Sequence, residues 1–321
     1  MIYDLLWYSY RIVRPMYEAT SLHRDVIEEV KNPRLQEAYS FCRTITRSYA
    51  KTFYLATRFL PHNKQRSIFA IYALCRYLDD LVDKGKDLIQ NRKINPNDIG
   101  QAIQNCRDEL IQTYHGKEAD NPIFLSFSDV LQTHKIPIEL PLMLIEGVSM
   151  DLTKKRYDTF EELYSYCYKV ASVVGLMTSE VFGYQSKDAL PHAVDLGIAM
   201  QLTNVLRDIG QDLSNDRIYL PKEDLNYYNL TEDDLKTGKP DGRFIKMMKF
   251  QIERSRQYYK SADQGVSMLD RDSQLPVYLA RHNYSQILNQ IEQNHYQVFD
   301  RRAYLTTTQK LISLPGIWWR I

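Results

Sequence analysis

Apolar residues along this chain recur mostly three and four positions apart, which is the pattern of helices packed on a shared interior. Two such stretches, 35–58 and 62–83, meet near Leu60-Pro61-His62-Asn63, where Pro61 is expected to break the helix. The polar run KGKDLIQNRKINPNDIG (84–100) reads as a loop. Helical periodicity returns over 100–114, 120–134 and 138–151, and then over two long apolar stretches, 160–183 and 190–212. Segment 213–240 holds Pro221 and the polar TEDDLKTGKPDG, and reads as a connection with short turns. Helices are expected again at 242–269, 274–295 and 300–312. No composition change marks a boundary, so the expectation is all-α: a single helical-bundle domain spanning 1–321. It has an N-terminal extension (1–34) and an aromatic C-terminal tail (306–321). In such bundles, sites are built from side chains on facing helices.

Composition narrows the function classes. The 12 glycines and 12 prolines are few for 321 residues, which again favours helices over many tight-turned strands. A formal net charge of +1 gives no basic excess for nucleic acid. The four cysteines (Cys42, Cys75, Cys106, Cys167) lack the close spacing of a zinc or CxxC motif, and a reduced, cytoplasmic setting is expected. No stretch is long and apolar enough to be a transmembrane helix. The N-terminus MIYDLLWYSYRIVRP carries Asp4 early and has no small-residue cleavage site, so it is a poor signal peptide. It is aromatic and amphipathic, however, and Trp318 and Trp319 stand beside Arg320 at the other end. Both ends suit peripheral contact with a membrane interface, or packing on the protein's own core.

Two acidic pairs carry the candidate chemistry. Asp79/Asp83 lies in YALCRYLDDLVD and Asp208/Asp212 in NVLRDIGQD, each as Asp-x-x-x-Asp. That spacing sets two like charges on one helix face, at a cost in stability. A lone pair of this kind is commonly a solvated face. Here both pairs sit in apolar helices, and each shares its face with further polar residues. At about 100° of rotation per residue, Tyr72, Arg76, Asp79 and Asp83 form one narrow stripe, and Asp80 falls beside it. Gln201, Asn204, Asp208 and Asp212 form a second, with Arg207 off its centre. Oxygen-only donors suit Mg²⁺ or Mn²⁺, and Mg²⁺ is typically shared between carboxylates and substrate phosphates. Carboxylates and diphosphates are both anionic, so divalent cations would have to bridge them, with arginine adding bidentate contacts. A cation left by diphosphate departure would need an apolar, aromatic, water-excluding pocket, for which 24 tyrosines and 11 phenylalanines are available.

Five segments resemble the squalene/phytoene synthase family of head-to-head prenyl diphosphate synthases. They are SYAKTFYLATRFLP (48–61), AIYALCRYLDDLVD (70–83), YCYKVASVVG (166–175), AMQLTNVLRDIGQDLSNDRIYLP (199–221) and YSQILNQIEQNHYQVFDRRAYL (284–305). They occur in the family's order and span most of the chain. AKTFY and RRAYL are more similar to phytoene than to squalene synthases. The resemblance implies the all-α isoprenoid synthase fold, with the acidic helices facing across a central cavity. It implies Asp79 and Asp83 as metal ligands on one side and Asn204, Asp208 and Asp212 on the other. By the same resemblance Lys51, Thr52, Tyr72, Arg76, Gln201, Arg207 and Tyr284 contact the prenyl diphosphates. Tyr166, Arg217, Tyr219 and Arg301 match positions near the diphosphates or the cation, and Val170, Val174 and Gly175 a cavity-lining segment. Tyr49 stands where relatives often have His, and Thr52 where they often have Ser.

The implied chemistry is Mg²⁺-dependent head-to-head (1-1′) condensation of two geranylgeranyl diphosphates through a cyclopropylcarbinyl diphosphate, ending in proton loss with no NADPH. Catalytic roles then fall to Asp79, Asp83, Asp208, Asp212, Arg76 and Tyr219. A dehydrosqualene or squalene synthase using farnesyl diphosphate is the nearest alternative. Head-to-tail elongation, terpene cyclisation and a non-catalytic assembly scaffold are others. Asp79-Asp80-Leu81-Val82-Asp83 also fits the DDxxD of the first two of these. Sequence gives no oligomeric state.

Overall fold

The computed structural model describes residues 26–90 and 96–306, so the aromatic segment 1–25 and the tryptophans of the tail lie outside the described residues. The regular structure of the described chain is helical, with only two isolated β-bridges besides, Arg156 with Ile218 and Tyr184 with Leu269. Among these residues no helix is long and apolar enough to cross a membrane.

Helix α1 (Pro33–Tyr49) starts where the Asn32 side chain accepts from the Arg34 and Leu35 amides, with Pro33 in the first turn. The expected single helix 35–58 is broken at Ala50 (φ −125°, ψ 56°), leaving a short α2 (Lys51–Thr57). Helix α3 (His62–Gln90) overruns the expected end at 83, because the polar run beyond it contains no proline until Pro96. Pro96 opens α4 (Pro96–Tyr114), followed by α5 (Pro122–Thr133) and α6 (Glu139–Met150). The long stretch 160–183 becomes α7 (Phe160–Cys167), a π-helical turn (Tyr168–Ser172) and α8 (Val173–Phe182). The stretch 190–212 becomes α9 (Ala189–Arg207) and α10 (Ile209–Ser214). Short helices α11 (Lys222–Tyr227) and α12 (Glu232–Lys236) lie within the expected connection. Helices α13 (Gly242–Val266) and α14 (Arg271–Gln293) follow. The helix expected from 300 is absent over 301–306, which runs without regular structure. Val26 and Ile27 are buried in the core and α1 begins at Pro33, so packing starts within the expected N-terminal extension.

Two large apolar cores divide the bundle. One gathers Leu74, Leu78 and Val82 of α3 with residues of α1, α5, α6 and α8; the other gathers Leu202, Val205 and Leu206 of α9 with residues of α7, α13 and α14. The two acidic helices therefore belong to different cores. Helix α8 touches both α3 and α9, and Tyr168 of the π-helical turn packs against both cores. Close approach there depends on glycine. A Cβ at Gly197 would lie 2.5 Å from the Ser172 Cα, and one at Gly175 2.8 Å from the Ala193 carbonyl oxygen. Small residues thus let α9 seat directly against the π-helical turn, a local form frequent at functional sites.

Candidate active site

Both acidic rows stand at the seam between the cores. On α3 the apolar face anchors the helix, so Tyr72, Arg76, Asp79 and Asp83 are left only partly covered. Asp79 keeps more than a third of its surface accessible, yet desolvation pushes its carboxyl up to about 7, helped by Asp83, Asp151 and Asp80 and opposed by Arg76. A side chain both accessible and desolvated lies in a concave place among packed helices. Arg76 reaches sideways to Asp80, one turn on, and lies over the Tyr49 ring at 4.4 Å from its centroid. Asp80, off the stripe in the sequence pattern, thus serves as the arginine's anchor. The Arg76 Nε is buried without a hydrogen-bond partner, an unused donor beside the carboxylates. Tyr49 supplies a ring to the guanidinium in place of an imidazole.

The second row is not one helix. Asp208 ends α9 and precedes α10 with non-helical torsions (φ −105°, ψ 11°). Its amide still donates to the Asn204 carbonyl (2.9 Å), and the Asp212 amide donates to the Asp208 carbonyl (2.8 Å), so the row keeps its register through the break. Asn204 Oδ1 accepts from the Tyr284 hydroxyl (2.6 Å), and its Nδ2 donates to Gln201 Oε1 (3.1 Å). Tyr284 of α14 is also close enough to Tyr72 of the first row to perturb its phenol, so this side chain spans towards both rows. Burial pushes the Asp212 carboxyl up to about 7, with Asp208 and Asp151 adding to the rise.

Asp208 behaves oppositely. Burial alone would raise it, but Arg207 and Arg302 hold it below the usual carboxylate range. Arg207 donates Nε and an NH₂ to its two oxygens (2.9 and 2.5 Å), and Arg302 does the same (2.7 and 3.0 Å). Sequence reasoning singled out Arg301; the structure shows Arg301 exposed and the bond to Asp208 made by its neighbour Arg302. Arg207, off the stripe as the sequence pattern had it, reaches the row through Asp208. The segment carrying Arg302 is held on α10 by the Gly210 amide, which donates to the Val298 carbonyl (3.3 Å), and a Cβ at Gly210 would overlap the Phe299 backbone.

Other expected residues fall into place unequally. Lys51 and Thr52 open α2, the former exposed and the latter half-buried. Tyr166 and Tyr219 are buried and stacked with centroids 5.2 Å apart. Arg217 donates to the Asp151 carbonyl oxygen (3.1 Å). Val170 packs against Gly147, and Gly175 against α9, so both serve close helix packing whatever else they line. Asp151, absent from the sequence expectation, accepts from Tyr166 and Tyr219. Its signal in the sequence is weak: one aspartate after an apolar run, with no second carboxylate at helical spacing.

The donor set fits a hard divalent cation. Asp79, Asp83, Asn204, Asp208 and Asp212 offer oxygen alone, and Asp79 and Asp212 are raised chiefly by desolvation, with neighbouring carboxylates adding to it, the electrostatic condition a cation would relieve. Among the described residues no three carboxylates converge into a closed cage. A cation shared between one or two carboxylates, water and a phosphate needs no such cage.

Comparisons with known proteins agree with the all-helical fold. The family model described as squalene/phytoene synthase matches residues 46–309. The 15-cis-phytoene synthase of a Synechocystis species is 42% identical over 298 residues, covering 89% of this chain and 86% of that protein. The chloroplastic phytoene synthase of Narcissus pseudonarcissus is 36% identical, covering 98% and 74%. Among solved structures, a dehydrosqualene synthase in complex with ligand superposes with a TM-score of 0.82 at 27% identity, covering 89% of this chain and 97% of that one. A squalene synthase from Alicyclobacillus acidocaldarius gives 0.75 at 26%, covering 85% and 99%.

Proposed function

The chain belongs to the squalene/phytoene synthase family, and from that premise we propose that it is a phytoene synthase, joining two geranylgeranyl diphosphates head to head with release of diphosphate. It is a prenyltransferase of the isoprenoid synthase fold. One observation carries the choice of product: relatives named phytoene synthase match at 36–42% identity over most of the chain, against 26–27% for the solved dehydrosqualene and squalene synthases. The farnesyl and scaffold readings have no comparable support.

In this reading Asp79 and Asp83 would hold divalent cations on one side, and Asn204, Asp208 and Asp212 on the other. A bound Mg²⁺ or Mn²⁺ would neutralise the diphosphates and improve them as leaving groups. Arg76 turns its unused Nε to a phosphate oxygen while Asp80 and the Tyr49 ring hold the guanidinium plane. Tyr284, anchored on Asn204, and Gln201 orient the second diphosphate; Lys51, Thr52, Tyr72 and Arg207 add contacts. The stacked Tyr166 and Tyr219 offer π-faces to an allylic cation and shield it from water. No reductant is required, because proton loss ends the reaction. Among the described residues no helix is long and apolar enough to cross a membrane, and peripheral contact through the terminal aromatic segments is part of the proposal. Purified protein with geranylgeranyl diphosphate and Mg²⁺ should form phytoene without NADPH. A product appearing only with NADPH, or only from farnesyl diphosphate, refutes the assignment.

A further inference from the structure

Asp151 breaks three rules of placement at once. It caps the C-terminus of α6, where the helix dipole disfavours a carboxylate. It is largely covered, with 17% of its side chain accessible. It also stands within electrostatic reach of both acidic rows, since Asp79 and Asp212 are each perturbed by it and it is perturbed by Asp83. A carboxylate that costs stability on three counts and still persists points to a function.

Its contacts say which one. The Tyr219 hydroxyl donates to Asp151 Oδ1 (2.9 Å) and the Tyr166 hydroxyl to Oδ2 (3.2 Å). Each carboxylate oxygen thus takes one phenol. The two rings stack on each other, and Tyr157 lies against both, with centroids 5.5 and 5.7 Å away. The backbone fixes this group. The Ile218 amide donates to the Lys155 carbonyl (3.0 Å) and the Lys222 amide to the Tyr157 carbonyl (2.9 Å), joining the loop after α6 to the one after α10. Arg217 braces the aspartate by donating to its carbonyl oxygen, with its other nitrogen 3.9 Å from Oδ2.

We propose that Asp151 is a positioning residue for the carbocation steps: it holds both tyrosine hydroxyl hydrogens on itself, so that Tyr166 and Tyr219 present electron-rich rings and no free O–H to the reacting cation. This rests on the prenyl-cation chemistry proposed above. A phenol that donates to a carboxylate gains electron density at the ring, and the ring face is what attracts a cation. An unanchored phenol would instead turn its O–H towards the diphosphates or admit water. Asp151 acts through the two tyrosines and needs no contact with substrate.

The test compares wild type, Asp151→Asn, Tyr166→Phe/Tyr219→Phe and the triple variant, each on geranylgeranyl and on farnesyl diphosphate with Mg²⁺. Asparagine keeps the shape but turns one acceptor into a donor, which forces one phenol to rotate. Expected for Asp151→Asn is a kcat lowered about tenfold or more with KM within about twofold, as for an interaction made chiefly in the transition state. The ratio of cyclopropylcarbinyl diphosphate or alcohol by-products to hydrocarbon should rise. In the Phe/Phe background the same substitution should add little, because its intermediaries are gone. An unchanged product ratio in Asp151→Asn, or a full additional loss in the triple variant, overturns the proposal. If Asp151→Asn does not fold, Tyr219→Phe alone must show the altered ratio, and an unaltered one overturns it. A wild type that condenses farnesyl but not geranylgeranyl diphosphate refutes the substrate assignment and leaves the Asp151 comparison readable on farnesyl diphosphate. A wild type inert on both refutes both.

Discussion

Arg302→Gln should tighten divalent-cation binding in the absence of substrate and weaken binding of diphosphate. Both oxygens of Asp208 are engaged by two guanidinium groups, so the carboxylate can turn to a cation only if one of them withdraws. Arg207 is 14% accessible and Arg302 59%, so Arg302 is the one that leaves. Its bidentate geometry is good, but an ion pair with one partner this exposed is worth only about 0.5–1 kcal/mol after solvent screening. Removing that competition should lower the dissociation constant for Mn²⁺ by about two- to fivefold, since 1.4 kcal/mol is tenfold. Loss of a positive charge beside the acidic row acts in the same direction.

Free Mn²⁺ can be counted by electron paramagnetic resonance during titration of wild type and variant. With inorganic diphosphate added, the order should reverse, because the arginine released from Asp208 becomes a phosphate donor. Unchanged or weaker Mn²⁺ binding by the variant without diphosphate would show that Arg302 does not compete for Asp208, and would refute the reasoning.

Three further outcomes are expected. Asp79 and Asp212 have folded pKa values near 7, above the unfolded carboxylate value, so their stabilising contribution is present at low pH and is lost as pH rises through about 7. Melting in EDTA should therefore drop between pH 6 and 8 by more than melting in Mg²⁺, and equal drops would count against cation binding at these groups. Gly197→Ala should destabilise by about 1–3 kcal/mol in denaturant unfolding, because its Cβ meets the Ser172 backbone rather than a side chain that can rotate away. Tyr49→Phe should keep the ring over Arg76 and leave KM for the prenyl diphosphate unchanged, whereas Tyr49→Ala should raise it about two- to fivefold, the value of an exposed cation–π contact; equal effects would mean the hydroxyl matters instead.

The sequence made some of this legible and hid the rest for identifiable reasons. The helices, both acidic rows and the lateral position of Asp80 follow from a 3.6-residue period, which acts locally and is written in consecutive residues. The breaks at Ala50 and Asp208 are not written that way. Neither is a proline or glycine, and at Asp208 the hydrogen bonds to the Asn204 carbonyl and from the Asp212 amide survive the change in torsion, so the periodicity passes through undisturbed. Helix was expected beyond residue 300 because the apolar spacing continues, but the chain there packs on Gly210 and delivers Arg302 instead. Periodicity cannot tell Arg301 from Arg302, because the choice depends on which side of an irregular segment meets α10. Asp151 was missed for a related reason, as its meaning comes from tyrosines 15 and 68 residues away.

The seam between the two cores explains why these long-range features gather in one place. If both acidic helices shared a single core, close packing would fix their separation, and there would be little room for a ligand between them. Here α3 and α9 are anchored in different cores, with α8 and the π-helical turn touching on both sides. The two rows can therefore stand apart without being forced into contact, and the desolvation of Asp79 and Asp212, with the nearby carboxylates of each row and of Asp151, is what a cation would relieve. The residues that bridge the gap are polar: Tyr284 towards Asn204 and Tyr72, and Asp151 between the rows. A packed apolar bridge would close the site, whereas hydrogen-bonded side chains can exchange partners when a charged ligand enters. On this view the strength of the Asp208 clamp and the rotation of the Asp151 phenols are two measures of the same property, namely how cheaply the seam rearranges from internal pairing to pairing with ligand.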